Sequence, residues 1–369
     1  MSPGAIPFTE IVRELPAAVP FVGPETMERE RGRVFRARIG ANESAFGLSP
    51  KAAAAMREAV ERVSWYGDPE SFDLRQALAT KHGLAMEEIC VGGGIDELLG
   101  LVVRMTVTPG TPVVTSLGAY PTFNYHVAGY GGRLVTVPYV DDREDPESLL
   151  AAVKAEGAPL VYLANPDNPM GTWQDPATLA DFVAALPEGC LLVLDEAYIE
   201  FAPEGLAPAL DTGDPRVIRM RTFSKAHGMA GARIGYAIAQ RELITGLNKI
   251  RNHFGLNRIA QAGALASLGD PDFIAGVAAQ VEAGRQETYA LAARLGLAAL
   301  PSATNFVAID VGAGDRARAI LQALQDEDVF VRMPGVAPLD RCIRVTVGRP
   351  EERALFAAAF ERVLAALPA

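Results

Sequence analysis

Between residues 112 and 239 the chain alternates short apolar runs with helix-length stretches. The runs are Pro112–Thr115, Leu134–Val137, Leu160–Ala164, Leu191–Leu194, Val217–Arg221 and Arg233–Ala239. Several, such as Leu191–Leu194, are apolar throughout, which marks strands covered on both faces. Helices are expected between them over Phe123–Ala128, Pro146–Lys154 and Asp175–Leu186. Strand–helix alternation of this kind predicts a mostly parallel sheet covered by helices. In such a sheet ligands bind beyond the carboxyl ends of the strands. The search for chemistry therefore narrows to the residues that follow each run.

Upstream, Pro50–Val63 and Ile95–Met105 read as helices, the second opening directly after Gly92-Gly93-Gly94. Beyond about Arg241 the texture changes to Ala-rich helices over Glu242–Arg251, Arg258–Leu268 and Ile274–Leu295. Short strands follow at Phe306–Ile309, Val329–Arg332 and Ile343–Val347, and a helix over Arg349–Ala366 closes the chain. This reads as a second, smaller α+β domain. The first 40 residues read as an irregular arm, rich in Pro and then basic through Arg29, Arg31, Arg33, Arg36 and Arg38. Those arginines form either a solvated face or a subunit contact.

A length of 369 residues suits about two domains. The net charge of −11 argues against nucleic acid or an anionic membrane surface as partner. Cys90, Cys190 and Cys342 are widely spaced with no CxxC pair. They read as core residues in a reduced, cytoplasmic protein, not as a disulfide framework or a thiolate metal site. The N-terminus lacks a basic-then-apolar leader, and no apolar run nears the roughly 20 residues that span a bilayer. The expectation is a soluble enzyme acting on small molecules.

Four segments at strand ends hold polar residues. Asn165-Pro166-Asp167-Asn168-Pro169-Met170-Gly171 follows LVYLA, and its prolines and glycine fix a rigid turn around Asn168. Asp195-Glu196-Ala197-Tyr198 follows CLLVL, where a buried carboxylate needs a cationic partner. Thr222-Phe223-Ser224-Lys225 follows VIRMR, with Arg233 further on. Gly92-Gly93-Gly94-Ile95-Asp96 opens a helix whose free N–H groups suit an anion. Singly, each also reads as an ordinary turn, a salt bridge or helix cap, a surface lysine, or a plain glycine run. Together they supply a lysine nucleophile, a buried carboxylate, hydroxyls and an arginine beside a helix start. That is the set of groups pyridoxal phosphate (PLP) requires.

The motifs ANESAFGLSP, WYGDPESFDLR, GGGIDELL, YPTFNYH, NPDNPMG, LDEAYIEF, TFSKAHGMAGARIGY, TNF and CIRVTVGRPEE occur in this order along nearly the whole chain. The chain thereby resembles the fold-type I PLP enzymes, within them the histidinol-phosphate aminotransferase-like branch of the class I/II aminotransferases. The resemblance implies an aspartate aminotransferase-like α/β fold: a large, mostly parallel seven-stranded sheet domain plus a smaller α+β domain. It implies an arm over residues 1–45 that joins the small domain, a PLP-binding domain over 46–255 and a small domain over 256–369. Lys225 would carry PLP as a covalent aldimine and move the substrate's α-proton. Asp195 would pair with the pyridinium nitrogen, and Asn168 and Tyr198 would hydrogen-bond the phenolic oxygen. Phe123 would stack on the ring, with Tyr120 as the fallback. The backbone of Gly94, Ile95 and Asp96, with Thr222, Ser224 and Arg233, would bind the phosphate, and Tyr66 would reach it across a homodimer interface. Arg344 would clamp the substrate carboxylate, Asn42 and Asn305 would line the pocket, and Arg332 would contact the distal part of the substrate.

The implied activity is transfer of an amino group between an L-amino acid or amino-phosphate donor and a 2-oxo acid. An aromatic or broad-specificity aminotransferase and a decarboxylase of the threonine-phosphate type are the alternatives. Departures from the family pattern include Met170 in place of the usual threonine of the asparagine–proline turn. Another is Pro20-Phe21-Val22-Gly23, where relatives carry a tyrosine before Pro-Gly, which weakens the expectation of a phosphorylated substrate.

Overall fold

A computed structural model of the chain describes residues 6–16 and 22–367. Its centre is a seven-stranded sheet in the order Ile89–Gly92, Gly235–Ala239, Val217–Thr222, Leu191–Asp195, Leu160–Ala164, Pro112–Ser116, Arg133–Val137. Gly235–Ala239 runs antiparallel to both of its neighbours, and every other pairing is parallel. Every residue of Leu160–Ala164 and Leu191–Asp195 is buried, as their unbroken apolar text demands. Register sets Ala164 beside Asp195 and Asp195 beside Met220, so the polar residues that follow these strands emerge along one edge.

Helices cover both faces. Ile95–Thr106 buries Leu98, Leu99, Val102 and Val103 with Cys90, Tyr162 and Val193. On the opposite face Pro146–Glu156 and Pro176–Ala185 bury Leu149, Val153, Leu179 and Phe182 against Val161 and Leu192. Each of these two starts with Pro after an Asp cap: Asp145 accepts from Ser148 N at 2.9 Å, and Asp175 from Thr178 N at 2.9 Å. All three cysteines are free and buried.

The second layer is built around Phe306–Asp310, antiparallel to Cys342–Thr346 and to Ala298–Ala299. Ala37–Arg38 pairs in parallel with Val329–Phe330, so a segment near the start of the chain completes a unit made near its end. Helices Pro271–Arg294, Gly314–Asp326 and Pro350–Ala366 bury Leu291, Ile320, Leu324, Phe356 and Phe360 with these strands.

Several details differ from the sequence expectation. The strand expected from Arg233 begins at Gly235, because Arg233 takes a left-handed conformation (φ 57°) after a short 3-10 turn. Ile89–Gly92, Phe72–His82 and Gly314–Asp326 form elements where none was expected. The arm is not wholly irregular, because Pro24–Arg31 is helical and its arginines form pairs. Arg31 and Arg33 reach Asp328, and Arg38 reaches Glu25. The division at residue 255/256 does not follow the packing. Helix Arg258–Leu268 buries Ala260 and Ala264 with Leu74 and Leu78 of the large unit. Pro20 and Phe21 lie outside the described residues. No helix among the described residues is long and apolar enough to cross a membrane.

Candidate active site

The carboxyl edge of the large sheet opens into a cavity of ≈ 780 Å³ that the small unit closes from the other side. Asp195 ends its strand at the floor and is almost fully buried. Its Oδ2 accepts from Tyr162 Oη at 2.8 Å, and its Oδ1 from Ala197 N at 3.0 Å. Burial pushes its pKa up to about 6, against the opposing pull of the Tyr162 hydroxyl. The Tyr162 phenol is driven upward by its own burial and by Asp195, so it remains a donor. Tyr162 is a residue the sequence reading passed over. The available signal was a lone tyrosine in an aliphatic buried strand, whose hydroxyl had to find a partner.

Lys225 leaves the strand Val217–Thr222 three residues past its end and projects into the cavity, its Nζ 5.5 Å from the centre of the Tyr198 ring. Tyr198 is buried, receives a hydrogen bond from Asn42 Nδ2 at 3.0 Å and packs edge-on against Phe306. Asn42 has φ 56° and is tied by Thr346 Oγ1 to the small unit.

At the other side of the floor the helix Ile95–Thr106 begins with no side-chain cap. Its first N–H groups are therefore available to an anion. Ile95, Asp96, Thr222, Ser224 and Arg233 line the cavity here. Arg233 Nη2 reaches Asp96 Oδ2 at 3.2 Å, and Asp96 Oδ1 accepts from Tyr120 Oη at 2.8 Å. A Cβ on Gly94 would come within 2.6 Å of Arg233 Nη2, so only glycine lets the guanidinium lie over the helix start. An uncapped helix, hydroxyls and a guanidinium make a fitting cradle for a phosphate monoester.

The small unit contributes two arginines. Arg332 and Arg344 exchange backbone hydrogen bonds of 3.2 and 2.7 Å, an antiparallel bridge that sets the two residues directly opposite each other. Arg344 Nη1 donates to Asn168 Oδ1 at 2.5 Å, its Nε is buried without a partner, and burial pulls its guanidinium below the usual range. Arginine remains charged under such shifts.

Four expected residues are not on the cavity wall. Phe123 is fully buried and stacks on Tyr162, ring centres 4.7 Å apart; Tyr120 lines the cavity instead. Helix Pro121–Gly129 starts one residue after Tyr120, which turns Phe123 into the core and leaves Tyr120 at the mouth. Asn305 stands behind the wall, with Nδ2 donating to the Asn42 carbonyl at 3.1 Å. Gly94 shapes the cradle from beneath. Tyr66 is 77% exposed, with its ring against Phe254 and away from this cavity.

Residues 38–360 match the family model for aminotransferases of class I and II. The chain belongs to the class I and II aminotransferases. Among its relatives in this family, the histidinol-phosphate aminotransferase of Anaeromyxobacter sp. is 38% identical over 360 residues, 96% of this chain and 98% of that one. Histidinol-phosphate aminotransferase 2 of Carboxydothermus hydrogenoformans is 35% identical over 352 residues, 94% and 96% of the two chains. The crystal structure of histidinol-phosphate aminotransferase from Sinorhizobium meliloti, in complex with pyridoxal-5'-phosphate, superposes with a TM-score of 0.95 over the whole of both chains at 53% identity. An L-threonine-O-3-phosphate decarboxylase from Porphyromonas gingivalis shares the fold alone, at 20% identity and a TM-score of 0.78. The aminotransferase fold thus delivers lysine, carboxylate and phosphate cradle to one cavity, with two arginines opposite.

Proposed function

We propose that this PLP-dependent aminotransferase takes a phosphorylated amino alcohol of the histidinol phosphate type as donor and a 2-oxo acid as acceptor. The observation that carries the donor class is the Arg332–Arg344 pair. Both line the cavity, and neither has a carboxylate within ion-pair distance among the described residues. Two guanidinium groups fixed side by side without counter-charge suit a dianion better than a single carboxylate. The names of the relatives support the same reading.

PLP supplies a carbonyl that takes up the donor's amine and a protonated ring that draws off charge when the Cα–H bond breaks. The chain's own residues do the rest. Lys225 would anchor the cofactor through Nζ and, as a free amine, would take the proton from the substrate's Cα. Such positioned proton transfer contributes about 10²–10⁴-fold. Asp195 holds a proton at the pyridine nitrogen, oriented by Tyr162 and Ala197 N. Asn168 and Tyr198 would donate to the phenolic oxygen, while Ser224, Arg233 and the helix start would hold the phosphate. Arg332 and Arg344 hold the donor's phosphate and then the acceptor's carboxylate.

The proposed assembly is a homodimer. Tyr66 rests its ring on Phe254, and both are exposed, as are Trp65 and Phe72 nearby in sequence; such exposed aromatics suit a surface that copies of a chain cover. The buried free thiols suit a reducing compartment such as the cytoplasm.

The test is a half-reaction series with the yellow holoenzyme, following the loss of its visible absorbance. Histidinol phosphate should react with a kcat/KM about 100-fold or more above unphosphorylated histidinol, the loss expected when charge-assisted hydrogen bonds go unmade. Equal rates, or faster reaction with phenylalanine, would replace the phosphate reading with an aromatic or broad-specificity one. Release of carbon dioxide from threonine phosphate would make it a lyase.

A further inference from the structure

Nine buried polar side-chain atoms among the described residues lack a hydrogen-bond partner, and two of them belong to residues lining the cavity. One is Arg344 Nε, a cationic donor waiting for an anion. The other is Asn124 Oδ1, a neutral acceptor waiting for a donor. A buried acceptor without a partner loses its hydration and gains nothing in exchange, a cost that a ligand's donor would offset.

Asn124 is the fourth residue of helix Pro121–Gly129, one turn beyond Tyr120. Residues four apart share a helix face, so Asn124 follows Tyr120 along the cavity while Phe123 and Val127 enter the core. Leu117, Gly118 and Thr136 complete this corner of the cavity. The Tyr120 hydroxyl is committed to Asp96 and the Thr136 hydroxyl belongs to an exposed residue, which leaves Asn124 Oδ1 as the buried, unpartnered polar atom of this corner. Glu43 also lines the cavity but is exposed, where water competes for its carboxylate. Asn124 lines the cavity from a helix of the large unit, and the two arginines line it from the small unit.

We propose that Asn124 is a specificity-determining residue whose Oδ1 accepts a hydrogen bond from a ring N–H at the end of the donor opposite its anionic group. This inference rests on the donor class proposed above and adds the recognition of the second end: an azole such as imidazole, which carries an N–H in the ring plane. A phenyl ring of similar size would fill the same corner and leave Oδ1 unpaired. Sites built around a hydrogen bond reject analogues that lack the partner far better than apolar pockets reject an extra methylene.

The experiment compares holoenzyme and Asn124→Ala on two substrate pairs: histidinol phosphate with phenylalaninol phosphate, and histidine with phenylalanine. Alanine favours the helix, and retention of the yellow cofactor band reports that the fold survives. The variant should lose about 10- to 100-fold in kcat/KM for the imidazole member, mostly through KM, the range expected for one buried hydrogen bond. The phenyl member should stay within about twofold, since it never made that bond. Asn124→Asp, which keeps the acceptor, should restore discrimination between the rings. Equal losses on both members, or no loss on either, would overturn the role. If the wild-type enzyme turns over the amino acid pair and neither phosphorylated amine, the phosphate reading fails while ring discrimination at Asn124 is still scored on histidine against phenylalanine.

Discussion

Asp195 carries a burial cost that its hydrogen bonds from Tyr162 and Ala197 N offset only in part. Burial raises it to about 6, and burial also raises its neighbour Asp167 to about 7 in the turn that holds Asn168. Both carboxyls therefore bind protons more tightly in the folded chain than in the unfolded one. Their contribution to stability is full below the unfolded pKa near 4 and is lost as pH rises through 6 and then 7. Asp195→Asn removes one share. Freed of cofactor, the variant should lose less stability than wild type between about pH 5 and about pH 8, by on the order of 1 kcal/mol. Urea midpoints at the two pH values measure this, and parallel losses would show that burial is not felt at Asp195. With PLP added, wild type should recover the difference and the variant should not. Much at this scale was legible in the sequence, because Lys225, Asp195, Asn168, Tyr198 and Arg233 each sit at or just beyond a strand terminus, in a motif. Phe123 and Tyr120 were not separable that way. Both are aromatic and three residues apart, and the face each presents depends on where the helix begins.

The helix Ile95–Thr106 contributes its start rather than its length. Gly94 has φ 93°, and its missing side chain leaves room for the Arg233 guanidinium. Gly94→Ala should push Arg233 aside and weaken PLP binding by about 10- to 100-fold, the loss expected when a charge-assisted phosphate contact is broken. Titration of the cofactor-free protein with PLP reads this out, and an unchanged affinity would remove Arg233 from the cradle. The asparagine–proline turn is held as firmly. Asp167 Oδ2 accepts from Met170 N at 3.1 Å, and the Met170 side chain is buried with Leu300, Ala308 and Leu339 of the small unit. A methionine in place of the usual threonine thus trades a hydroxyl for packing between the two units. Elements with long periodic or unbroken apolar text were readable. Ile89–Gly92 was not, because four residues ending in glycine carry no period. Gly314–Asp326 was hidden by a polar exposed face and a glycine start.

At the scale of the molecule, a chain with net charge −11 concentrates Arg233, Arg332 and Arg344 around one cavity. Arg332 and Arg344, without ion-pair partners among the described residues, offer anionic ligands positive charge within a chain that is acidic as a whole. The exposed Tyr66 extends this to the proposed dimer, in which each site would borrow a hydroxyl from the other copy. Tyr66→Ala and Lys225→Ala should each be impaired alone. Mixed after partial unfolding, they should regain about a quarter of wild-type activity, because random pairing leaves one intact site in each hybrid dimer. No recovery would confine Tyr66 to a structural role. The pairing of Ala37–Arg38 with Val329–Phe330 has a consequence in time. At roughly 5–20 residues per second on the ribosome, the early strand waits on the order of 15–60 s for its partner. The large sheet, complete by Ala239, can close during that interval. The two arginines proposed to select the substrate are therefore among the last parts of the enzyme to be set in place.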